Sequence, residues 1–281
     1  MKLCSFINGQ TVGYGALDAR GAIIDLKSRL GDTHPTLLSL LRADATLSVA
    51  REAAEKYAGD IDPDSVAYLP LFEEMVAIHC VGLNYAAHTA EAGVKQPEFP
   101  RTFFKVPPAL VGHGQDYEMP TLSQQYDYEG ELAVIIGRSA RKVSREDAMA
   151  HVLGYTCFMD GSVRDYQLQR TLGQGKNFAK SSSMGPWLVT ADEVGELGSL
   201  TLSTRVSGEQ LQHTTFDKML FPVPQLIEYL SGIAELRAGD IIATGTPEGV
   251  GFKRTPPRYL KPGDTVEVEI DRVGTLCNAV R

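Results

Sequence analysis

The sequence has little of several features that would assign it to a specialised class of protein. Its 281 residues include only four cysteines, far apart and without CxxC spacing, which fits buried thiols better than a disulfide framework or a zinc site. No apolar run is long enough to span a membrane, and the N-terminus lacks the apolar core of a signal peptide. The formal net charge of −8 argues against a nucleic-acid-binding surface. We therefore expect a cytoplasmic protein that binds neither nucleic acid nor membrane.

Phosphate-binding motifs and sequence repeats are also absent. The glycines at 112–114 match neither GxxxxGKS/T nor a GxGxxG that opens a helix, so we interpret them as a turn. Hydrophobic residues make up 43% of the chain and charged residues 22%, which is ordinary for a globular protein with a sizeable core. The length allows one large domain, or a smaller and a larger one.

Periodicity divides the chain into two parts. Residues 1–70 contain three short strand patterns and two short helical patterns, at 36–43 and 47–57, which predict a small N-terminal α/β module without catalytic side chains. Residues 71–281 contain many short strands and few helices. They predict a β-rich α+β domain whose sheets are closed or strongly curled to avoid long edges.

Two carboxylates lie at the start of a predicted strand. Residues 126–137 end in an apolar, β-branched run, which predicts a strand that enters the core at Leu132. Side chains two apart on a strand share a face, so Glu129 and Glu131 should project together. Such a pair is tolerated if it is solvated, if one carboxyl is protonated, or if a cation lies between the two. For an isolated Glu-x-Glu, a solvated strand end is the ordinary explanation.

His88 and Glu91 are a candidate catalytic pair. They lie three residues apart in the segment 83–93, which places them on one face if that segment is helical. A carboxylate beside an imidazole raises its basicity and fixes its tautomer, an arrangement that suits activation of water. The alternative is an ordinary surface i,i+3 pair on a short helix. Without other evidence, the two residues by themselves favour this alternative.

Three polar residues follow the predicted strand 154–159. Asp160, Arg164 and Gln167 have i, i+4, i+7 spacing, which is one stripe of a helix. A polar stripe does not suit a core but does suit the wall of a pocket. The alternative is an Asp helix cap with an Arg salt bridge.

Two further positions have less local support. Lys176 follows a glycine in a segment without periodicity, where an exposed charge is the ordinary interpretation. Thr246 lies in the glycine-rich loop 245–251, directly after a buried strand. Backbone amides and the Thr246 hydroxyl could hold a carboxylate there.

Together and in this order, these segments resemble the fumarylacetoacetate hydrolase superfamily, in particular its bacterial acylpyruvate hydrolase-like members. The resemblance covers roughly residues 75–281, and the N-terminal module is similar to the one that precedes this domain in bacterial members. A chance match to one motif is easy, but a chance match to all of them in this order is not expected. The motifs are Gly82-Leu83-Asn84-Tyr85 with His88 and Glu91, Tyr128-Glu129-Gly130-Glu131, Asp160-Gly161-Ser162-Val163-Arg164-Asp165-Tyr166-Gln167, Gly175-Lys176-Asn177-Phe178, Gly185-Pro186-Trp187, Ile242-Ala243-Thr244-Gly245-Thr246-Pro247 and Lys261-Pro262-Gly263-Asp264.

The resemblance implies a metal centre. The family positions that match Glu129, Glu131 and Asp160 hold a divalent cation, usually Mg²⁺ and sometimes Mn²⁺ or Ca²⁺. An oxygen-only ligand set is what a hard cation prefers. The implied fold is a β-rich domain with curled mixed sheets around this metal, usually assembled as a homodimer.

Roles for the remaining candidates follow from the same resemblance. Lys176 matches a fixed cation near the charge that develops on the substrate. His88 with Glu91 resembles the dyad that deprotonates the attacking water in hydrolytic members, often on a lid that orders when substrate binds. The positions that match substrate-site residues are Tyr85, Arg164, Gln167 and Thr246, the last at the substrate carboxylate.

The implied substrates are 2-oxo acids or 1,3-diketones that chelate the metal. We expect a hydrolase that cleaves a C–C bond in a 2,4-dioxo acid such as an acylpyruvate, fumarylpyruvate or a fumarylacetoacetate-like compound. His88 and Glu91 favour this activity, because cleavage by water needs a positioned base. The alternative is a decarboxylase, tautomerase or lyase acting on a 2-oxo acid such as oxaloacetate. Two positions depart from the family pattern: Met159 replaces a common Asn, and Lys180 stands in an altered turn, where we expect it on the surface.

Overall fold

The computed structural model describes all 281 residues and contains seventeen strands and eight α-helices. The strands are β1 (Lys2–Asn8), β2 (Thr11–Leu17), β3 (Ile23–Asp25), β4 (Ala67–Tyr68), β5 (Ile78–Gly82), β6 (Arg101–Lys105), β7 (Leu110–Val111), β8 (Tyr126–Asp127), β9 (Gly130–Ile136), β10 (Val152–Met159), β11 (Ser162–Val163), β12 (Ser182–Thr190), β13 (Thr201–Val206), β14 (Glu209–Thr215), β15 (Ile241–Ala243), β16 (Thr265–Ile270) and β17 (Gly274–Ala279). The helices are α1 (Leu26–Leu30), α2 (Leu37–Ala43), α3 (Ser48–Lys56), α4 (Ala86–Ala92), α5 (Arg164–Gln169), α6 (Leu172–Gly175), α7 (Ala191–Val194) and α8 (Val223–Ile233).

Most of the strands belong to one large mixed sheet of eleven strands. Its path runs β3-β2-β1-β12-β10-β9-β15-β5-β6, with β4 paired to β1 and β7 paired to β12. A four-stranded antiparallel sheet, β14-β13-β16-β17, and a two-stranded pair, β8 with β11, complete the β structure. The predicted β-rich α+β class is confirmed. No sheet closes on itself, so of the two arrangements that the sequence left open, the closed one is excluded.

The strand β9 lies between two hydrophobic cores. Its residues 132–136 are all fully buried, as the continuous apolar run of a strand covered on both faces requires. Leu132, Val134 and Ile136 pack into a core shared with the four-stranded sheet and α8. Ala133 and Ile135 point the other way, into a core shared with the N-terminal strands and α2. The strand that carries the predicted carboxylates is therefore held rigidly from both sides.

The N-terminal strands extend the large sheet. β1 pairs antiparallel with β12, with Lys2 opposite Val189 and Leu3 opposite Leu188. The division of the chain near residue 70 remains a prediction. None of the eight helices has the length and apolar character needed for a transmembrane span.

The segment Ser144-Arg145-Glu146-Asp147 resembles a capping box, which predicts a helix through about His151, and this prediction is wrong. Ser144 Oγ accepts a hydrogen bond from the Asp147 N–H at 3.3 Å, as a capping motif should, but only a 3-10 turn at Ala148–His151 follows. The chain then enters β10, where Val152 pairs with Ile136 of β9. Strand pairing therefore overrides the local capping signal. Residues 223–230, with a Pro near their start and helical apolar spacing, predict a helix, and this helix is present as α8.

Candidate active site

Three carboxylates meet where β9 and β10 pair. Glu129 precedes β9, Glu131 lies on it, and Asp160 follows β10 directly. The Asp160 N–H donates to the Glu129 carbonyl at 2.8 Å, which fixes the end of one strand against the start of the other. The ligand oxygens of all three side chains lie within 4.8 Å of one another, and all three residues are buried. We call these three residues the acidic triad.

Gly130, between the two glutamates, is required by close packing. A Cβ at this position would lie 2.0 Å from Thr204 Oγ1 of β13, far inside van der Waals contact. The four-stranded sheet therefore packs directly on the backbone that carries Glu129 and Glu131. Thr204 Oγ1 itself is buried and has no hydrogen-bond partner.

Two buried lysines contact the acidic triad. Lys176 Nζ lies 2.5 Å from Glu129 Oε2 and 2.8 Å from Asp160 Oδ2. Lys105 Nζ, at the end of β6, lies 2.6 Å from Asp160 Oδ1 and donates to Ser182 Oγ at 2.7 Å. The ordinary interpretation of Lys176 as an exposed charge is therefore wrong. Lys105 was not predicted from the sequence to be a site residue. A lysine at the end of a predicted strand gives no local indication that it contacts Asp160, 55 residues later in the chain.

Arg164 connects the acidic triad to a further buried carboxylate. Its guanidinium contacts Glu129 Oε1 at 2.6 Å and Asp127 Oδ2 at 2.8 Å, and it donates to Gln167 Oε1 at 2.9 Å. The guanidinium also stacks over the Phe252 ring, 4.2 Å from its centroid. Burial raises the pKa of Asp127, and the Arg164 charge opposes that rise. Because these contacts involve all three guanidinium nitrogens, Arg164 is held in one orientation.

The helical stripe predicted for Asp160, Arg164 and Gln167 is only partly correct. α5 begins at Arg164, and Arg164 contacts Gln167 across one of its turns. Asp160 lies outside the helix, at the end of β10, with the short strand β11 between them. The three side chains nevertheless line one cavity, because β10, β11 and α5 follow one another around it.

The electrostatics differ sharply within the acidic triad. Burial raises the pKa of Glu129, but Lys176 and Arg164 outweigh it and hold that pKa at about 2. Burial also raises the pKa of Glu131, and there the negative charges of Asp160 and Glu129 raise it further. Glu131 Oε2 accepts a 2.9 Å hydrogen bond from the Gly245 N–H but forms no ion pair. One member of the acidic triad thus lacks a cation.

The donor set fits a hard divalent cation. It consists of oxygen atoms only, it is buried, and its charge is incompletely neutralised. If every group is counted as ionised, the formal charge of the buried groups around the centre is −1, from the carboxylates of Asp127, Glu129, Glu131 and Asp160 and the cations Lys105, Arg164 and Lys176. A cation held by the acidic triad would remove the repulsion that raises the pKa of Glu131.

His88 and Glu91 form the predicted pair. Both lie on α4, and His88 Nδ1 is 3.3 Å from Glu91 Oε2. Glu91 Oε1 also accepts from the Gly249 N–H at 3.0 Å, so this carboxylate ties the helix to the loop 245–251. His88 is 6% exposed, which does not fit the surface pair considered above. In this structure α4 is formed and docked, and its ordering on substrate binding remains a prediction.

The predicted substrate-site residues Thr246 and Tyr85 have different surroundings. Thr246 lines the cavity, but its hydroxyl donates to the Gly130 carbonyl at 2.9 Å and accepts from Gln212 Nε2 at 2.8 Å. Tyr85 is buried at the start of α4 and does not line the cavity. Its hydroxyl has no hydrogen-bond partner, and burial raises its pKa.

A single cavity of about 360 Å³ brings most of the predicted residues together. The predicted residues that line it are His88, Glu129, Glu131, Asp160, Arg164, Gln167, Lys176 and Thr246. Glu91 lies behind His88 and Tyr85 lies outside the lining. The wall also includes apolar side chains such as Phe103 and Leu168, and two exposed cations, Arg101 and Lys253. Lys180 is exposed on the surface, as expected.

The chain is similar over most of its length to proteins named as oxaloacetate tautomerases. It is 38% identical to oxaloacetate tautomerase FAHD2A, mitochondrial, of Homo sapiens over 264 residues, covering 92% of this chain and 84% of that protein. It is 42% identical to oxaloacetate tautomerase YisK of Bacillus subtilis over 217 residues, covering 76% of this chain and 72% of that one.

Two solved structures have the same fold along the whole chain. Fumarylacetoacetate hydrolase from Exiguobacterium antarcticum is 32% identical, with a TM-score of 0.83 and coverage of 100% of this chain and 99% of that one. Maleylpyruvate hydrolase from Sphingobium sp. SYK-6, solved in complex with manganese(II) ion and pyruvate, is 30% identical, with a TM-score of 0.83 and coverage of 100% and 98%. Residues 77–281 match the family described as fumarylacetoacetate (FAA) hydrolase C-terminal. The chain therefore belongs to the fumarylacetoacetate hydrolase superfamily.

Proposed function

We propose that the protein is a divalent-metal-dependent tautomerase that interconverts the keto and enol forms of a 2-oxo dicarboxylic acid such as oxaloacetate. The observation that carries this proposal is the buried His88, oriented by Glu91, in the same cavity as the acidic triad. A base and a site for a Lewis acid are the two requirements for moving a proton next to a carbonyl group. The 38–42% identity to proteins named oxaloacetate tautomerases supports this choice over the hydrolase that the sequence favoured.

The reaction needs no co-reactant. His88 takes a proton from C3 of the keto acid, the C–H electron pair forms the C2–C3 double bond, and the carbonyl π electrons move to the C2 oxygen. The same proton, returned to that oxygen, gives the enol. Glu91 stabilises the imidazolium while it holds the proton, and Lys176 places a positive charge close to the developing oxyanion. A divalent cation held by the acidic triad would add Lewis-acid stabilisation of the same oxygen.

The two exposed cations of the cavity wall support a dicarboxylate. Arg101, at the start of β6, lines the cavity and forms no ion pair or side-chain hydrogen bond within the chain. Lys253 lines it too and donates to the Ala92 carbonyl at 3.1 Å. A substrate whose 2-oxo carboxylate end binds at the acidic triad could direct a second carboxylate towards these charges.

A C–C bond hydrolase is the second candidate. Maleylpyruvate hydrolase, with a TM-score of 0.83, was solved with manganese(II) ion and pyruvate, and an acylpyruvate hydrolase releases pyruvate. In that reaction His88 would take its proton from water instead of carbon, so the same residues support both reactions. The two reactions differ in their substrate and in whether a water molecule is consumed.

The test is a product screen on purified, chelator-treated protein with and without added Mn²⁺ or Mg²⁺. We expect metal-dependent acceleration of the decay of enol-oxaloacetate, followed by its ultraviolet absorbance, with no change in substrate mass. Cleavage of maleylpyruvate or fumarylpyruvate with uptake of one water, without tautomerase activity, would establish the hydrolase instead. Loss of carbon dioxide from oxaloacetate above the rate of metal alone would indicate a decarboxylase.

A further inference from the structure

A closed ring of hydrogen bonds joins the acidic triad to the loop that follows β15. The Gly130 N–H donates to Gln212 Oε1 at 3.0 Å, and Gln212 Nε2 donates to Thr246 Oγ1 at 2.8 Å. Thr246 Oγ1 completes the ring by donating to the Gly130 carbonyl at 2.9 Å. The second Gln212 N–H hydrogen bonds to the Pro247 carbonyl at 3.0 Å.

Gln212 is buried and comes from a different sheet. It lies on β14, in the four-stranded sheet, and is 2% exposed. Its amide is satisfied on both sides, by the peptide between two members of the acidic triad and by the loop 245–251. A fully satisfied buried network has one geometry, because any displacement leaves a buried polar group without a partner.

The ring determines which atom of Thr246 is available to a ligand. The single hydroxyl hydrogen of Thr246 is used by the Gly130 carbonyl, so it is not free to donate to a substrate carboxylate while the ring is intact. The Thr246 backbone N–H, in contrast, has no partner within the chain, although the residue is 3% exposed and lines the cavity. A buried, unpaired N–H on a cavity wall is a ready donor for a carboxylate.

We propose that Gln212 is a positioning residue that holds the Thr246 N–H at the place where it receives the carboxylate of a 2-oxo acid. This inference rests on the substrate class proposed above. Gln212 does not touch the substrate; it acts through the loop, and the Thr246 hydroxyl serves the ring.

The test measures binding without turnover. Pyruvate carries the 2-oxo carboxylate alone, and its Kd for Mn²⁺-loaded protein is measured by calorimetry for wild type and Gln212→Leu, together with the Kd for Mn²⁺. We expect Gln212→Leu to weaken pyruvate binding on the order of tenfold, the effect of losing one hydrogen bond to a charged group, with less than about a twofold change for Mn²⁺. Gln210→Leu, on an exposed position of the same strand, is the matched control and should bind both ligands as wild type does.

Variants of Thr246 separate positioning from direct contact. Thr246→Ser keeps the hydroxyl and should retain wild-type pyruvate affinity, whereas Thr246→Val breaks the ring and should match Gln212→Leu. The double variant Gln212→Leu/Thr246→Val should bind pyruvate no more weakly than either single variant, because the ring is already open. If Gln212→Leu does not fold, Gln212→Met supplies the same comparison.

Three outcomes would overturn the inference. The first is a double variant whose loss of pyruvate affinity equals the product of the losses in the two single variants. The second is a loss of Mn²⁺ affinity in Gln212→Leu as large as its loss of pyruvate affinity. The third is a lower Tm in Gln212→Leu with an unchanged Kd for pyruvate. Absence of tautomerase activity with the expected pattern of pyruvate binding would instead count against the proposed reaction alone.

Discussion

At the scale of single residues, Glu131 differs from the rest of the acidic triad because no cation lies beside it. Lys176 and Arg164 neutralise Glu129, and both lysines contact Asp160. Glu131 has only the Gly245 N–H, and burial and its negative neighbours raise its pKa. The Glu131 carboxylate is therefore unfavourable in the fold itself, and a cation held by the acidic triad would stabilise it.

Glu131→Gln should separate stability from metal binding. We expect the metal-free variant to be more stable than metal-free wild type, by on the order of 1 kcal/mol, because a buried repulsive charge is removed. At a metal concentration of 100 times Kd, wild type should gain about 2.7 kcal/mol and the variant almost nothing. Thermal unfolding with and without Mn²⁺ measures both effects, with Glu269→Gln as the surface control. A variant that keeps the metal-dependent gain would contradict the ligand assignment.

Removal of the imidazole should affect turnover and not metal affinity. We expect His88→Ala to lower kcat by a factor of about 10²–10⁴, the usual contribution of a positioned base, and Glu91→Gln to lower it less because His88 remains. The Kd for Mn²⁺ should be unchanged in both. His213→Ala, an exposed histidine outside the cavity, is the control. Wild-type kcat in His88→Ala would exclude it as the base.

Arg101 should determine preference for a second carboxylate. We expect Arg101→Ala to raise KM for oxaloacetate by roughly tenfold, through loss of one charge-assisted contact, with little change in pyruvate binding. Arg170→Ala removes an exposed arginine that does not line the cavity and is the matched control. Equal weakening for pyruvate and oxaloacetate in Arg101→Ala would contradict this assignment.

At the scale of secondary-structure elements, carboxylates also hold turns in place. Asp264, just before β16, accepts two hydrogen bonds from Arg258, at 2.7 and 2.9 Å, and others from Ser207 Oγ and the Lys261 N–H. Burial raises the pKa of Asp264, but these partners outweigh it and the net shift is downward. A carboxyl whose folded pKa is depressed contributes stability above its unfolded pKa and loses it as the pH falls.

Asp264→Asn should therefore cost stability in a pH-dependent way. We expect a loss of about 1–2 kcal/mol at pH 7, since hydrogen bonds to a charged group are weakened. The difference from wild type should shrink as the pH falls below about 4, the region of the unfolded pKa of Asp. Urea unfolding at pH 7 and at pH 3 measures it. A difference that is constant across this range would show that the charge of Asp264 is not responsible.

Elements with local signals were predictable, and contacts between distant segments were not. The alternation of a strand placed Glu129 and Glu131 on one face, and the structure agrees. The helical spacing misplaced Asp160, because a short strand interrupts the segment that looked continuous. Lys105 and Gln212 gave no sequence signal, since each makes its decisive contacts with residues 55 or 82 positions away. Their roles depend on topology.

At the scale of the whole molecule, the large sheet has one edge near the cavity. The strand order ends at β6, whose outer side pairs with no strand, and Phe104 on that strand is 61% exposed. Unpaired edges and exposed apolar side chains favour association between chains. The edge therefore offers a surface for the homodimer that the family resemblance implies.

Sedimentation equilibrium tests the expected dimer. We expect a mass about twice 30.6 kDa for the wild type. Phe104→Lys should shift the equilibrium towards monomer, because an exposed apolar contact is replaced by repelling charges. Tyr57→Lys, at an exposed aromatic position of the N-terminal part, should leave it unchanged. A wild-type protein that is monomeric at all concentrations would contradict the expectation.

The contact between Gly130 and Thr204 constrains the order in which mutations can accumulate. A side chain at 130 would meet Thr204 Oγ1 at 2.0 Å, yet that hydroxyl has no partner to lose, and the next atoms are 3.3 Å away. Thr204→Ala alone should thus be nearly neutral, and Gly130→Ala should be tolerated better after it than before. In a library of variants, Gly130→Ala should therefore be recovered together with Thr204→Ala more often than alone, because the second substitution removes the atom that the new methyl group would meet.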